Sequence, residues 1–184
     1  MKRFAVVASI LAVACLSLKL SAAELKSGLE PGDAPAAFNV HDVTGPSAGK
    51  SLCYRCQYGN RPVVSVFTRE IDQNVTDLIK QLDATVGRNQ DNQLKAFVVL
   101  LTDDREAAEE QLADVAKQNK IEHVPLTIFE NAQGPEAYQI SGNADVSVMM
   151  WVESGVKVNH ALPKGGLDKR TVKSIVADTS KILN

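Results

Sequence analysis

The chain has 184 residues, with 20 Lys and Arg against 22 Asp and Glu, 45% hydrophobic residues and 3 cysteines. A formal net charge of −2 gives no basic surplus with which to hold a nucleic acid or an anionic membrane surface. The length suits one domain with a good-sized core.

Met1-Lys2-Arg3 is a short basic start, Phe4 to Leu18 an almost unbroken apolar run, and Ser21-Ala22-Ala23 supplies small residues at the two cleavage-determining positions. This pattern predicts a secretory signal peptide over 1–23, cleaved after Ala23. The apolar run is shorter than the roughly 20 residues of a membrane span, and Lys19 interrupts its end, so no stable span is expected after cleavage. Ala12-Val13-Ala14-Cys15 loosely resembles a lipobox, which gives a lipid-anchored variant through Cys15 as a minor alternative. Cleavage leaves 161 residues, and the loss of Lys2, Arg3 and Lys19 with no acids moves the net charge from −2 to about −5. The cysteines fall to two, Cys53 and Cys56, in a chain bound for a periplasmic or extracellular compartment where disulfides persist.

Glu24 to Pro35 is polar and rich in Gly and Pro and reads as a tether over 24–35, ahead of a domain over 36–184. Phe38, Val40 and Val43, followed by Thr44-Gly45-Pro46, read as a short strand and a turn. Ser51 to Tyr58 is a short piece holding both cysteines, and Gly59-Asn60-Arg61-Pro62 is turn chemistry. Val63-Val64-Ser65-Val66-Phe67 is a β-branched apolar run that suits the central strand of a sheet covered on both faces. Val75, Leu78, Ile79, Leu82 and Val86 then fall at helical spacing, with Asp72 or Asn74 as N-cap and Gly87 near the end. Ala96 to Leu101 is a second buried strand. Thr102-Asp103-Asp104 caps a helix with Ala108, Leu112, Val115 and Ala116 on its inner face, and its early acids complement the helix dipole. Val124-Pro125 opens a third strand, Leu126 to Phe129, and Asn131 to Gly142 is loop. Val146–Val152 and Val156–His160 flank Ser154-Gly155 as a β-hairpin. A last helix runs from Asp168 to about Leu183, with Leu167 and Val172 placed as a hydrophobic staple around the Asp168 cap.

This order of elements, with Val124-Pro125, Gly59 and Asp42-Val43-Thr44-Gly45 ahead of Arg61-Pro62-Val63-Val64-Ser65-Val66-Phe67, resembles the thioredoxin-like superfamily over roughly residues 33–183. Within it the chain looks nearest the peroxiredoxin and secreted thiol–disulfide oxidoreductase branch. The resemblance implies an α/β fold, a central mixed β-sheet flanked by helices on both faces. It also implies a cis bond at Val124-Pro125, against the plain alternative of an ordinary trans proline starting a strand, a substrate-binding role for Val124 and Pro125, and a protein thiol or disulfide as partner, with no cofactor. Thioredoxins and their secreted relatives carry the reactive Cys-x-x-Cys after the central strand, opening the next helix, where the helix N-terminus lowers the thiol pKa. Here that place holds Thr68-Arg69-Glu70-Ile71-Asp72-Gln73, so the family mechanism does not transfer to it, and Arg69 stands there as a substrate-binding candidate.

Three readings of Cys53 and Cys56 follow. They are a catalytic redox pair, a structural disulfide ahead of the central strand, or half of a metal site. Residues three apart in an extended strand lie about 10 Å apart, so a disulfide requires Ser51–Tyr58 to be a turn or a helical turn. Arg55 between the sulfurs favours a thiolate, and family analogy makes Cys53 the exposed, attacking thiol. The pair precedes the strand, which puts it far from Pro125. His41, His123 and His160 are scattered singly and complete no second ligand pair. Tyr54, Tyr58, Met149, Met150 and Trp151 read either as the lining of a groove or, more plainly, as core residues and tyrosines covering the sheet edge.

Overall fold

The computed structural model describes residues 25–183; the expected signal peptide over 1–23 and Cys15 lie outside the described residues. Seven strands and four α-helices follow one another as β1 (Val40–Asp42), β2 (Ser51–Leu52), α1 (Tyr54–Tyr58), β3 (Val63–Thr68), α2 (Gln73–Arg88), β4 (Lys95–Leu101), α3 (Arg105–Asn119), β5 (Leu126–Phe129), β6 (Val146–Val152), β7 (Gly155–Leu162) and α4 (Lys169–Asp178). They form one mixed sheet in the order β2-β1-β5-β4-β3-β6-β7. β3 is its centre. It pairs in parallel with β4 and antiparallel with β6, and all six of its residues are buried.

Period-two alternation sorts the strands onto two faces. Val64 and Val66 of β3, Ala96, Val98 and Leu100 of β4, and Val146, Val148 and Met150 of β6 join one cluster, while Val63, Phe67, Phe97, Val99, Leu101, Met149 and Trp151 join the other. Strands β3, β4 and β5 run parallel and step one way across the sheet, so right-handed crossovers bring α2 and α3 to the same side. α4 joins them there: Val75, Leu78, Ile79 and Leu82 of α2, Leu112 of α3 and Val172 and Ile175 of α4 share the first cluster. The opposite face is covered by α1, through Tyr54, and by a 3-10 turn at Glu136–Tyr138. Helices thus flank both faces, very unequally.

Each long helix begins where an aspartate caps it. Asp72, Asp104 and Asp168 accept the N–H of Val75, Ala107 and Thr171. Leu167 and Val172 are both buried, as a staple requires. The last helix stops at Asp178 and tightens into a 3-10 turn over Thr179–Lys181, short of the expected Leu183. Gly87 stands near the end of α2, one residue before Arg88, and a Cβ there would meet the His123 ring at 2.8 Å.

Two expectations change. The segment read as a tether is packed: Ser27 and Leu29 are buried, Ser27 Oγ meets Ser147 Oγ at 2.9 Å, and Gly32 N–H donates to Val156 O at 2.9 Å. Its Gly and Pro content denies it regular structure, but its backbone donors still find partners on the sheet. The hairpin loop is Glu153-Ser154, one residue earlier than Ser154-Gly155, and Gly155 pairs with Val152 inside β7. Both loop residues sit in the left-handed region, at φ 53° and 65°, as a two-residue hairpin turn demands.

Candidate functional site

Leu52 pairs with Val40 and ends β2. Cys53 then stays extended, at φ −108° and ψ 100°, and becomes the N-cap of α1. Its carbonyl accepts from Cys56 N–H at 3.1 Å and Gln57 N–H at 3.0 Å, and its Sγ accepts from Cys56 N–H at 3.0 Å. That winding brings the two Cα atoms to 5.2 Å, and the sulfurs are joined in a disulfide. The helix ends after five residues at Gly59, whose φ of 59° suits a residue without Cβ.

Three side chains hold this turn on the body of the protein. Tyr54 is 1% exposed, stacks on Phe97 with centroids 5.6 Å apart, and donates its hydroxyl to Asp42 Oδ2 at 2.8 Å. It therefore covers the sheet face and not the edge, beside half-buried Tyr58. Burial first, and Asp42 second, keep the Tyr54 hydroxyl protonated far above its usual range. Asp42, fully buried, also accepts from the N–H of Gly45 and Ser47, each at 2.8 Å. Arg55 donates from Nε to Pro35 O at 3.0 Å and from Nη2 to Ser154 Oγ at 2.9 Å, and its Nη1 reaches Gly59 O at 3.5 Å. Asn60 completes the contact, its carbonyl accepting from Glu153 N–H at 3.0 Å and its Oδ1 from the Ser154 hydroxyl at 3.2 Å.

The two cysteines differ in access. As whole residues, Cys56 is exposed and Cys53 is half-buried, the reverse of the order that family analogy implies. The cause is the helix start: Cys53 leaves the β1–β2 hairpin and is tucked under the first turn, while Cys56 stands on that turn's outer side.

The other predicted residues lie elsewhere. Arg69 follows β3 and donates Nε to Ala144 O at 3.1 Å, Nη2 to Ser141 O at 3.3 Å and Nη1 to Ala132 O. Its guanidinium pins the loop between β5 and β6 to the end of β3. Val124 packs in the first cluster, on the side of the sheet opposite α1, so the structure does not bring Val124-Pro125 to the cysteines. Among the described residues there is no cis peptide bond, so Val124-Pro125 is trans, contrary to the family expectation. The trans form is the intrinsically favoured one for an X–Pro bond. Here Asp83 Oδ1 fixes the approach to it by accepting from Glu122, His123 and Val124 N–H at 3.1, 2.7 and 3.0 Å. Met149 and Trp151 are both fully buried against the second face, and line no groove. Both sulfurs are in the disulfide, and no group of three or more His, Cys, Asp or Glu is placed to hold a metal among the described residues. No helix among them is long and apolar enough to cross a membrane.

Sequence reasoning missed Asp42, Asn60, Asp83 and Ser154. Asp83 carried a signal, an acid next to Leu82 on the apolar side of a helix, which burial permits only with donors in reach. Ser154 and Asn60 carried none, because their partners come from distant loops.

No protein-family model matches the chain, and no curated protein matches it. Solved structures do. The chain is similar to a provisionally assigned thiol:disulfide interchange protein DsbE of Chlorobium tepidum, at 12% identity and TM-score 0.66 over 85% of this chain and 99% of that one. It is similar to a secreted disulfide oxidoreductase of Mycobacterium tuberculosis, at 8% identity and TM-score 0.58 over 78% and 95%. A yeast mitochondrial 1-Cys peroxiredoxin aligns at 12% identity and TM-score 0.59 over 83% and 77%. The fold is thioredoxin-like.

Proposed function

We propose that this thioredoxin-like chain is a thiol–disulfide redox protein in which Cys53 and Cys56 exchange with a cysteine of a partner protein. The observation that carries the reading is the Cys53–Cys56 disulfide, with Cys56 an exposed residue, in a turn that Tyr54 and Arg55 already anchor. A turn so anchored has little need of a staple, and a ring this small limits what closure contributes.

The exchange runs through Cys56. A partner thiolate attacks Sγ of the exposed residue Cys56, the bond to Cys53 breaks, and Cys53 leaves as a thiolate beside the Cys56 N–H. A second partner thiol, losing its proton, then displaces Cys56. The partner ends with a disulfide, this chain with two thiols, and two electrons and two protons have passed to it. The reverse sequence reduces a partner disulfide. Arg69 and Val124-Pro125 take no part in this reading, since their groups are engaged away from the sulfurs.

Export completes the reading: the basic start, apolar run and Ser21-Ala22-Ala23 support cleavage after Ala23 and delivery to an oxidising compartment. Mass spectrometry of protein recovered from that compartment should give Glu24 as first residue; retention of residues 1–23, or a lipid on Cys15, would refute it.

The test of exchange is the reduction potential together with trapping. Cys53→Ser should hold a partner through Cys56 in a mixed disulfide, more readily than Cys56→Ser holds one through Cys53. A potential more negative than about −300 mV, with no disulfide reductase turnover, would leave a structural bond in a binding module.

A further inference from the structure

The geometry points to Arg55 as the residue that positions the exchange turn, with the Glu153–Ser154 turn as its anchor. This rests on the exchange reading above. Arg55 lies between the two cysteines in sequence. Its three acceptors belong to three separate segments: Pro35 O in the N-terminal segment, Ser154 Oγ in the β6–β7 turn, and Gly59 O at the end of α1. A planar guanidinium presents donors in fixed, divergent directions and can span them; an ammonium is a single point.

The anchor is itself unusual. Glu153 and Ser154 are consecutive non-glycine residues at positive φ, a conformation L-residues seldom adopt. Such a conformation persists only where the surroundings impose it. Some of the partners that impose it come from the cysteine segment: Asn60 binds Glu153 N–H and the Ser154 hydroxyl, and Arg55 binds Ser154 Oγ. The strained turn is built around the exchange turn.

Two constraints therefore act on the same four residues, the disulfide and the Arg55 clamp. What one orders, the other need not order again, so each favours the other by the same factor. After the disulfide opens, the clamp keeps the first turn of α1 wound and Cys53 within reach of Cys56. In the mixed disulfide, Cys53 thiolate then attacks Cys56 Sγ, the bond from Cys56 to the partner breaks, and the partner departs as a thiolate.

The experiment equilibrates the full chain with reduced and oxidised dithiothreitol, for wild type, Arg55→Gln, Arg55→Lys and Ser154→Ala, alongside thermal unfolding. Arg55→Gln should weaken disulfide closure about fivefold or more and lengthen the life of a mixed disulfide at Cys56. Arg55→Lys should not rescue it, and Ser154→Ala should move the constant the same way by a smaller factor. Variants that lower the melting temperature yet keep the closure constant within about twofold of wild type, below the usual coupling range, would overturn the inference. Should Arg55→Gln fail to fold, Ser154→Ala, which removes one hydroxyl, decides alone. Wild type without reductase turnover would remove the exchange reading, while a constant that still responds to Arg55→Gln would keep its positioning of the disulfide.

Discussion

Tyr54 donates its hydroxyl to Asp42 at 2.8 Å, and this bond joins the cysteine turn to the first strand of the sheet. Both residues are buried, and among the described residues the Asp42 carboxylate has two other donors, the N–H groups of Gly45 and Ser47. Tyr54→Phe keeps the ring on Phe97 but takes a donor from a buried carboxylate. Stability should fall by about 1.5–3 kcal/mol, read from urea unfolding at unchanged slope. A loss below a few tenths of a kcal/mol would show that Asp42 is not held by this bond.

Gly45 is where the same contact leaves no room. A Cβ there would stand 2.2 Å from the Tyr54 hydroxyl and 2.7 Å from both Asp42 oxygens. Gly45→Ala should cost at least as much as Tyr54→Phe. The double variant should cost less than the two single losses together, because the phenylalanine vacates the space. Additive losses would place the strain elsewhere.

Replacing both cysteines by serine tests how much the disulfide holds. Chain-entropy reasoning gives about 2 kcal/mol for so small a ring, and Tyr54 and Arg55 remain to anchor the turn. The double variant should stay folded with an unchanged far-ultraviolet spectrum. Loss of the fold would show the bond to be structural after all.

Glu153 occupies a left-handed position at φ 53° with an exposed side chain. Glycine takes that conformation without the Cβ clash, worth about 1–2 kcal/mol, and gives back about 0.5–1 kcal/mol in unfolded-chain entropy. Glu153→Gly should therefore raise stability by about 0.5–1 kcal/mol. A melting temperature that falls would contradict the strain.

The acid limb of stability should involve the last helix. Burial by itself would raise the Asp178 carboxyl, but hydrogen bonds from Lys181 and His160 bring it below its ordinary value. Asp168 is lowered by the backbone N–H and then the hydroxyl of Thr171. A carboxyl depressed in the folded state stabilises above its unfolded pKa, near 3.9, and that contribution is lost as pH falls through the folded pKa. Wild type should weaken below about pH 4, and Asp178→Asn should show a shallower decline over the same window. Identical acid profiles would remove Asp178 from the account.

Much of the fold was legible because each strand and helix states its period locally. Val63–Phe67, Ala96–Leu101 and Leu126–Phe129 read as buried strands, and Asp72, Asp104 and Asp168 stand where caps belong. The disulfide was legible from the cysteine count and spacing and from the expected export. Which cysteine is the more exposed was not, since it depends on how Cys53 leaves the hairpin and winds into α1. The packing of residues 27–33 was hidden too, because a Gly- and Pro-rich stretch shows no period whether it floats or is pinned. The left-handed pair Glu153-Ser154 gave no glycine to announce itself, and its stabilising partners, Arg55 and Asn60, lie nearly a hundred positions earlier.

The pinned N-terminal segment also dictates an order of events. Ser27 bonds to Ser141, Ser147 and Asn159, at sequence separations of 114, 120 and 132, and Leu29 N–H meets the Met149 sulfur at a separation of 120. A chain that emerges N-terminus first presents this stretch before any of its partners exists. Residues 27–29 must wait, solvated, until the β6–β7 hairpin has been made and has joined β3. This part of the second face can thus be closed by residues 27–29 only after the β6–β7 hairpin exists, and a nascent chain halted before Asn159 would leave it open.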